Sequence, residues 1–211
     1  MEKLDLRKQY KDLYIPPANK VTLVDVPTFK FILLKDAIEE GKAPGTSPAF
    51  QNATEALYSI SYNLKFMSKK RAENPIDYGV MALEALWWVE DGAFDIDDPG
   101  NWLFKAMLMQ PDHITEDMFQ KALAQVRKKK PNPALDLLRF ENFHEGLCMQ
   151  IMHIGPYAEE PATIARMDAF ATENGYKTRG KHHEIYHGDP RRTKPENLKT
   201  VLRHPVERVS A

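Results

Sequence analysis

A chain of 211 residues with 43% apolar and 28% charged side chains has the make-up of a soluble globular protein, one domain or two small units built as one. Its formal net charge of -1 sets up no global field for nucleic acid or an anionic membrane. The single cysteine, Cys148, excludes an internal disulfide and fits a reducing cytoplasm. No apolar run approaches the ~20 residues of a membrane helix, and the charged start MEKLDLRKQYKDLY does not read as a signal peptide.

Residues 1–20 read as an arm or turn of helix with tyrosine and leucine anchors, then extended chain through Pro16-Pro17. VTLVDVPTFKFILL (21–34) is rich in β-branched and aromatic residues and predicts a strand, bent or at an edge where Pro27 falls. KDAIEEGKAPGTSP (35–48) predicts a loop. In 49–71, Phe50, Ala53, Leu57, Ile60, Leu64 and Met67 recur at helical spacing, with Ser47 as N-cap and Pro48 at the first helical position.

IDYGVMA (76–82) and LEALWWVED (83–91) predict two strands, and DDPGN (97–101) a turn. WLFKAMLMQ (102–110) predicts a strand. Thr115 caps a helix with Glu116 and Asp117 in its first turn, running to Lys128-Lys129-Lys130. LDLLRFENF (135–143) and GLCMQIMHIG (146–155) predict a strand pair around a Glu-Gly turn. A helix follows over 159–175, with Ile164, Met167 and Phe170 on one face and Gly175 past its end. KHHEIYH (181–187) and TVLRHPVERV (200–209) predict the last strands. The expected fold is α+β: a single domain over 1–211 made of two β-α-β-β units, 21–91 and 102–209, the second with a helical insertion, flanking a ligand cleft.

HEIYH matches the H-E-x-x-H zinc signature, which requires a helix. Gly180 and Gly188 leave seven residues between them, which favours a strand. In a strand His183 and His187 stand roughly 13 Å apart, too far for one ion. No metal or cofactor is therefore expected. Strand alternation puts His182, Glu184 and Tyr186 on one face and His183, Ile185 and His187 on the other. Facing solvent, Glu184 is a surface acid; facing a cleft, it is placed to bind a cation or act as general base.

Several segments together resemble the GyrI-like small-molecule-binding family. They are YKDLYIPPANKVTLVDVP, PAFQNATEALYSISYNLKFMSKK, ALEALWWVE, HIGPYAEEPATIARMDAFATENGY and KHHEIYHGDPRRTKPENLKTVLRHPV, the last being the most specific. The resemblance is to stand-alone members without a DNA-binding domain. It implies two β-α-β-β units in pseudo-twofold arrangement around a central pocket. It also implies a pocket glutamate at Glu184 and aromatic walls that include Trp87 or Trp88, Tyr157, Phe50 and Tyr186, with His182 beside them. Ligands would be hydrophobic or cationic small molecules, and some members resemble enzymes that open cyclopropanoid electrophiles. The family name suggests a protein partner such as a topoisomerase.

Two functions follow. One is a metal-independent hydrolase that detoxifies cyclopropanoid-type electrophiles, with Glu184 activating water and Tyr157 donating to the dienone oxygen. The other is a drug-sequestering or effector-sensing module in which Glu184 is a counter-charge only. Alternation allows one of Trp87 and Trp88 to face the cleft and leaves open which, with Trp87 favoured. Cys148 reads as inert core. Arg179, Lys181, Arg191, Arg192 and Lys194 read as a solvated rim and not as a nucleic-acid surface.

Overall fold

The structure, a computed structural model, describes residues 2–92, 94–96 and 101–209. The arm comprises β1 (Glu2–Leu4), α1 (Leu6–Gln9) and α2 (Lys11–Tyr14). Then come β2 (Thr22–Val26), β3 (Phe29–Ala37), α3 (Pro48–Lys69), β4 (Ile76–Tyr78), β5 (Leu83–Trp88), β6 (Leu103–Gln110) and α4 (Glu116–Lys129). The chain ends with β7 (Arg139–Phe143), β8 (Gly146–Ile154), α5 (Glu160–Glu173), β9 (Tyr176–Thr178), β10 (His182–Tyr186) and β11 (Lys199–Arg208). No helix among the described residues is long and apolar enough to cross a membrane.

The two long helices start where their caps lie. The Ser47 hydroxyl accepts from the Phe50 N–H at 3.1 Å with Pro48 at the first helical position. The Thr115 hydroxyl accepts from the Met118 N–H at 3.3 Å. Pro27 divides the first predicted strand into β2 and β3, because a proline has no N–H for a ladder. The predicted strand over 76–82 shrinks to β4, which pairs with β1 in a separate two-stranded parallel ribbon. Residues 133–136 form a 3-10 turn, so β7 begins only at Arg139. Most of the turn expected at 97–101 lies outside the described residues.

The main sheet has nine strands in the order β2-β8-β11-β10-β5-β6-β3-β7, with β9 added on β11. Its pairings are antiparallel. β7 and β8 are not a hairpin pair. β7 joins β3, whereas β8 lies between β2 and β11. The short strands β2 and β7 thus each pair with a long strand from the other part of the chain, β8 and β3. One face carries α3 and α4 over Ile32, Leu34, Leu83, Ala85, Trp87, Phe104 and Leu108. On the same face α5 packs through Met167 and Ala171 on Met149, Ile151, Leu202 and Val206. Between these two apolar patches runs a seam along β5 and β10.

The opposite face is covered by the N-terminal arm, through Leu6, Leu13 and Tyr14. Beneath it lies a buried polar cluster. His183 Nδ1 is 2.9 Å from Glu145 Oε1, and its Nε2 is 3.1 Å from Glu84 Oε2, an ionic contact without hydrogen-bond alignment. The Arg203 guanidinium reaches Glu145 Oε2 at 3.3 Å and donates to Gln150 Oε1 at 2.9 Å and to the Leu13 carbonyl at 2.5 Å. The Tyr14 hydroxyl donates to Glu84 Oε1 at 2.6 Å, and Gln150 Nε2 donates to the Asp12 carbonyl at 2.6 Å. The cluster ties the arm to the sheet, and Cys148 sits beside it in apolar packing, its thiol pKa raised by burial.

Burial alone lowers the His183 pKa, but the Glu145 charge and the contacts with Glu145 and Glu84 outweigh it and lift it to about 8. That pKa lies above the unfolded value of ~6.5. The stabilisation is therefore fully present below pH ~6.5 and lost as pH rises through about 8. Urea midpoints should fall across this window in the wild type and fall less in His183→Gln. Truncating Arg203 to alanine leaves Glu145 with His183 as its remaining partner and strips the buried Gln150 Oε1 and Leu13 carbonyl of their donor, and the expected cost in denaturant unfolding is roughly 3–5 kcal/mol.

Candidate functional site

Alternation along β10 decides what faces the seam. His182 lies opposite Trp87, Glu184 opposite Ala85, and Tyr186 opposite Leu83. On the other side Glu184 faces Leu202 and Tyr186 faces Thr200 of β11. Ala85 is small, so the carboxyl group is not crowded from β5. His182, Glu184 and Tyr186 therefore line the helix-covered face, as alternation predicted.

A chain of polar contacts holds Glu184. His182 Nε2 is 2.8 Å from Glu184 Oε1, and His182 Nδ1 is 2.7 Å from His204 Nε2. Burial, then the His182 charge, drives the His204 pKa down to about 3, so its ring is neutral. The proton order that satisfies both contacts has His204 Nε2–H donating to His182 Nδ1 and His182 Nε2–H donating to the carboxylate. On the other flank the Trp87 indole N–H donates to the Tyr186 hydroxyl at 3.0 Å. Burial first, then the charge and hydrogen bonding of Glu184, raise the Tyr186 pKa well above that of a free phenol. The phenol keeps its proton and donates it toward Glu184.

The helices supply the walls. Phe50, in the first turn of α3, has its ring 5.0 Å from Trp87 and 5.2 Å from Phe104. Phe94 stacks on His182 at 5.6 Å and lies tilted against Trp102 at 4.7 Å. At the other rim, Gly155 (φ +140) bends the chain out of β8. A Cβ there would lie 3.1 Å from the Glu159 carboxylate. That bend delivers Tyr157 to the rim, its ring edge-on to Tyr186 at 6.0 Å. Burial, then the charges of Glu184 and Glu160, lift the Tyr157 pKa to about 12.

Glu160, in the first turn of α5, was not singled out from the sequence. Its side chain is 1% exposed, and Oε1 has no hydrogen-bond partner. Glu160, His182 and Glu184 each place one ligand-type atom within 4.8 Å of the others, so this trio could hold a cation. Burial, then the Glu184 charge, push the Glu160 pKa up to about 9.

The predicted residues thus separate. Glu184, His182, Tyr186, Trp87 and Phe50 converge on the seam, with Tyr157 at its rim. Trp88 does not, because the next position on a strand points to the opposite face. Its ring packs there against the arm-covered core with the Lys181 ammonium over it. The two halves of HEIYH part in the same way. His183 belongs to the buried cluster under the arm, away from Glu184. A surface cavity of about 560 Å³ beside α5, lined in part by His153, Thr163 and Arg166, does not include Glu184.

The sequence profile of the GyrI-like small molecule binding domain matches residues 20–207. The chain belongs to the GyrI-like family. An uncharacterized conserved protein from Listeria innocua is similar at 36% identity and TM-score 0.86, covering 97% of this chain and 100% of that one. A protein from the same organism described as a hydrolase is 35% identical with TM-score 0.84, covering 98% and 100%. The C-terminal domain of EcmrR shares the fold at TM-score 0.53 and 11% identity, over 90% of this chain and 98% of that one. No match is found among curated proteins. The GyrI-like domain is thus a small-molecule-binding domain, with Glu184 at the floor of its helix-flanked seam.

Trp87 is 1% exposed and serves both core and cleft wall, whereas Tyr157 is 38% exposed. Trp87→Ala should cost roughly 3–5 kcal/mol in chemical denaturation. Tyr157→Phe should stay within about 0.5 kcal/mol of wild type.

Proposed function

We propose that this GyrI-like domain binds a flat hydrophobic electrophile between α3 and α5 and hydrolyses it, the model substrate being a cyclopropane conjugated to a dienone. The observation that carries this reading is Glu184: a carboxylate 6% exposed, among aromatic rings, gripped by His182 and, among the described residues, paired with no lysine or arginine. Such a group is positioned to take a proton from water and has no permanent cation to quench it. Water held by Glu184 attacks the ring CH2. The strained C–C bond breaks, and its electron pair moves into the dienone, which becomes an aromatic phenolate. Tyr157, which keeps its proton through neutral pH, donates a hydrogen bond to that oxygen. Trp87, Phe50 and Tyr186 hold the flat ligand. The description of two similar Listeria proteins, 33% and 35% identical, as hydrolases supports the reading.

The seam is then the junction of a duplication, β2-β3-α3-β5-β6 and β7-β8-α5-β10-β11. On this proposal the units are better drawn over 22–110 and 139–208 than over 21–91 and 102–209. A second reading, sequestration or sensing of an organic cation, is favoured by the same unquenched carboxylate. Cys148, buried and reduced, agrees with work in the cytoplasm.

Metal-stripped protein incubated with a cyclopropane-dienone probe should yield ring-opened product by mass spectrometry. Glu184→Gln should lose about 10²–10⁴-fold in rate while binding the probe and keeping its circular dichroism. Binding without turnover in both proteins would reject hydrolysis and leave the sequestering module.

A further inference from the structure

Two buried carboxyl groups from different elements meet in this seam, and only one of them has been given a role. Glu184 comes from β10 in the middle of the sheet, and Glu160 comes from the first turn of α5. One oxygen of each carboxyl and one ring nitrogen of His182 all lie within 4.8 Å of one another. The side chains are 6% and 1% exposed. Two carboxylates this close and this dry cannot both ionise without large repulsion, so the pair holds one proton or one cation.

The contacts show which group keeps its charge. Glu184 Oε1 is 2.8 Å from His182 Nε2, and the Tyr186 hydroxyl donates toward the same carboxylate. Glu160 Oε1 lacks an aligned hydrogen bond, and the Thr200 hydroxyl beside it, placed to donate to this carboxyl, is likewise buried without another partner. The groups that face Glu160 are Glu184, His182 and Tyr186 on β10, Thr200 on β11 and Tyr157 on the preceding turn. Among the described residues no lysine or arginine forms an ion pair with either carboxyl. A donor-rich carboxyl beside a donor-poor one ionises first. The unsatisfied oxygens of Glu160 and Thr200 offer hydrogen-bonding capacity to a small polar guest.

We propose that Glu160 and Glu184 form a one-proton carboxyl pair that grips the attacking water, Glu184 as the base and Glu160, protonated, as the donor that fixes the water oxygen. This rests on the hydrolase reading and deepens it. The water O–C bond forms as the ring C–C bond breaks, the bonding pair passes to the dienone oxygen, and the water proton goes to Glu184. Glu160 keeps its own proton throughout. Glu184 gives up the acquired proton to the phenolate or to solvent as the product leaves, which restores the starting state. Glu160 touches the reacting water in this scheme and is a catalytic residue.

The test uses the full, metal-stripped chain in two measurements. Infrared spectra near neutral pH should show a protonated carboxylic acid that vanishes in Glu160→Gln and persists in Glu159→Gln, an exposed neighbour. The rate of probe hydrolysis by wild type should fall on the alkaline side with a midpoint of about 9. Glu160→Gln, an uncharged mimic that still offers an N–H donor, should lose that alkaline fall and slow turnover less than the alanine variant does. Glu160→Ala, which cannot place the water, should lose about 10²-fold. A purely structural role would leave the alkaline limb unchanged in the glutamine variant. Absence of the acid band, an unchanged limb, or turnover that requires an added divalent metal ion would each overturn the pair. If wild type binds the probe without turnover, the hydrolase reading and the water-gripping role fall together. The shared proton would then be decided by the infrared band alone.

Discussion

A strand in the middle of a nine-stranded sheet must send its side chains alternately to two buried faces, and β10 does this with ionisable groups on both. His182 and Glu184 go to the helix side, and His183 goes to the side under the N-terminal arm. Burying charge costs several kcal/mol per ion unless each polar atom finds a partner. The rest of the architecture can be understood as the supply of those partners. Under the arm, Glu84, Glu145 and Arg203 surround His183, and the carbonyls of Asp12 and Leu13 complete the set. On the helix side the partners are fewer.

That asymmetry separates structure from chemistry. The cluster under the arm balances two carboxylates against an arginine and a raised-pKa histidine, so its charges are quenched and its bonds fasten the arm. The seam holds two carboxyl groups and two histidines, and among the described residues no lysine or arginine pairs with those carboxyls. A quenched network is inert, whereas an unquenched carboxylate among aromatic rings attracts a proton, a cation or a polarised water. The same strand thus provides a fastening and a reactive site one residue apart, because alternation separates adjacent residues by the thickness of a sheet.

The helices were legible because their signals are local. Ser47-Pro48 and Thr115 with Glu116 and Asp117 carry the capping chemistry, and the apolar spacing in α3 follows the helical period. The face shared by His182, Glu184 and Tyr186 was legible for the same reason, once Gly180 and Gly188 marked a strand. Strand pairing was less so. β7 and β8 look like a hairpin around Glu145-Gly146, yet each pairs with a strand of the other half. The choice between Trp87 and Trp88 needed the register of β5 against β10, which no local pattern contains.

The sequence by itself determined the element types, the α+β class, the GyrI-like resemblance and the alternation that groups Glu184 with its strand neighbours, since each is set by short-range geometry or by a long contiguous pattern. Only the tertiary structure decided what those neighbours meet. Glu160 reads as an ordinary first-turn acid of α5, favoured there by the helix dipole. It becomes a second carboxyl in the seam because α5 packs on β8 and β11, bringing its N-terminus to Glu184. His204, Thr200 and Arg203 likewise acquire their roles from the register of β11 against β10. Contacts between residues far apart in the chain depend on how the layers dock, and docking depends on the whole apolar core.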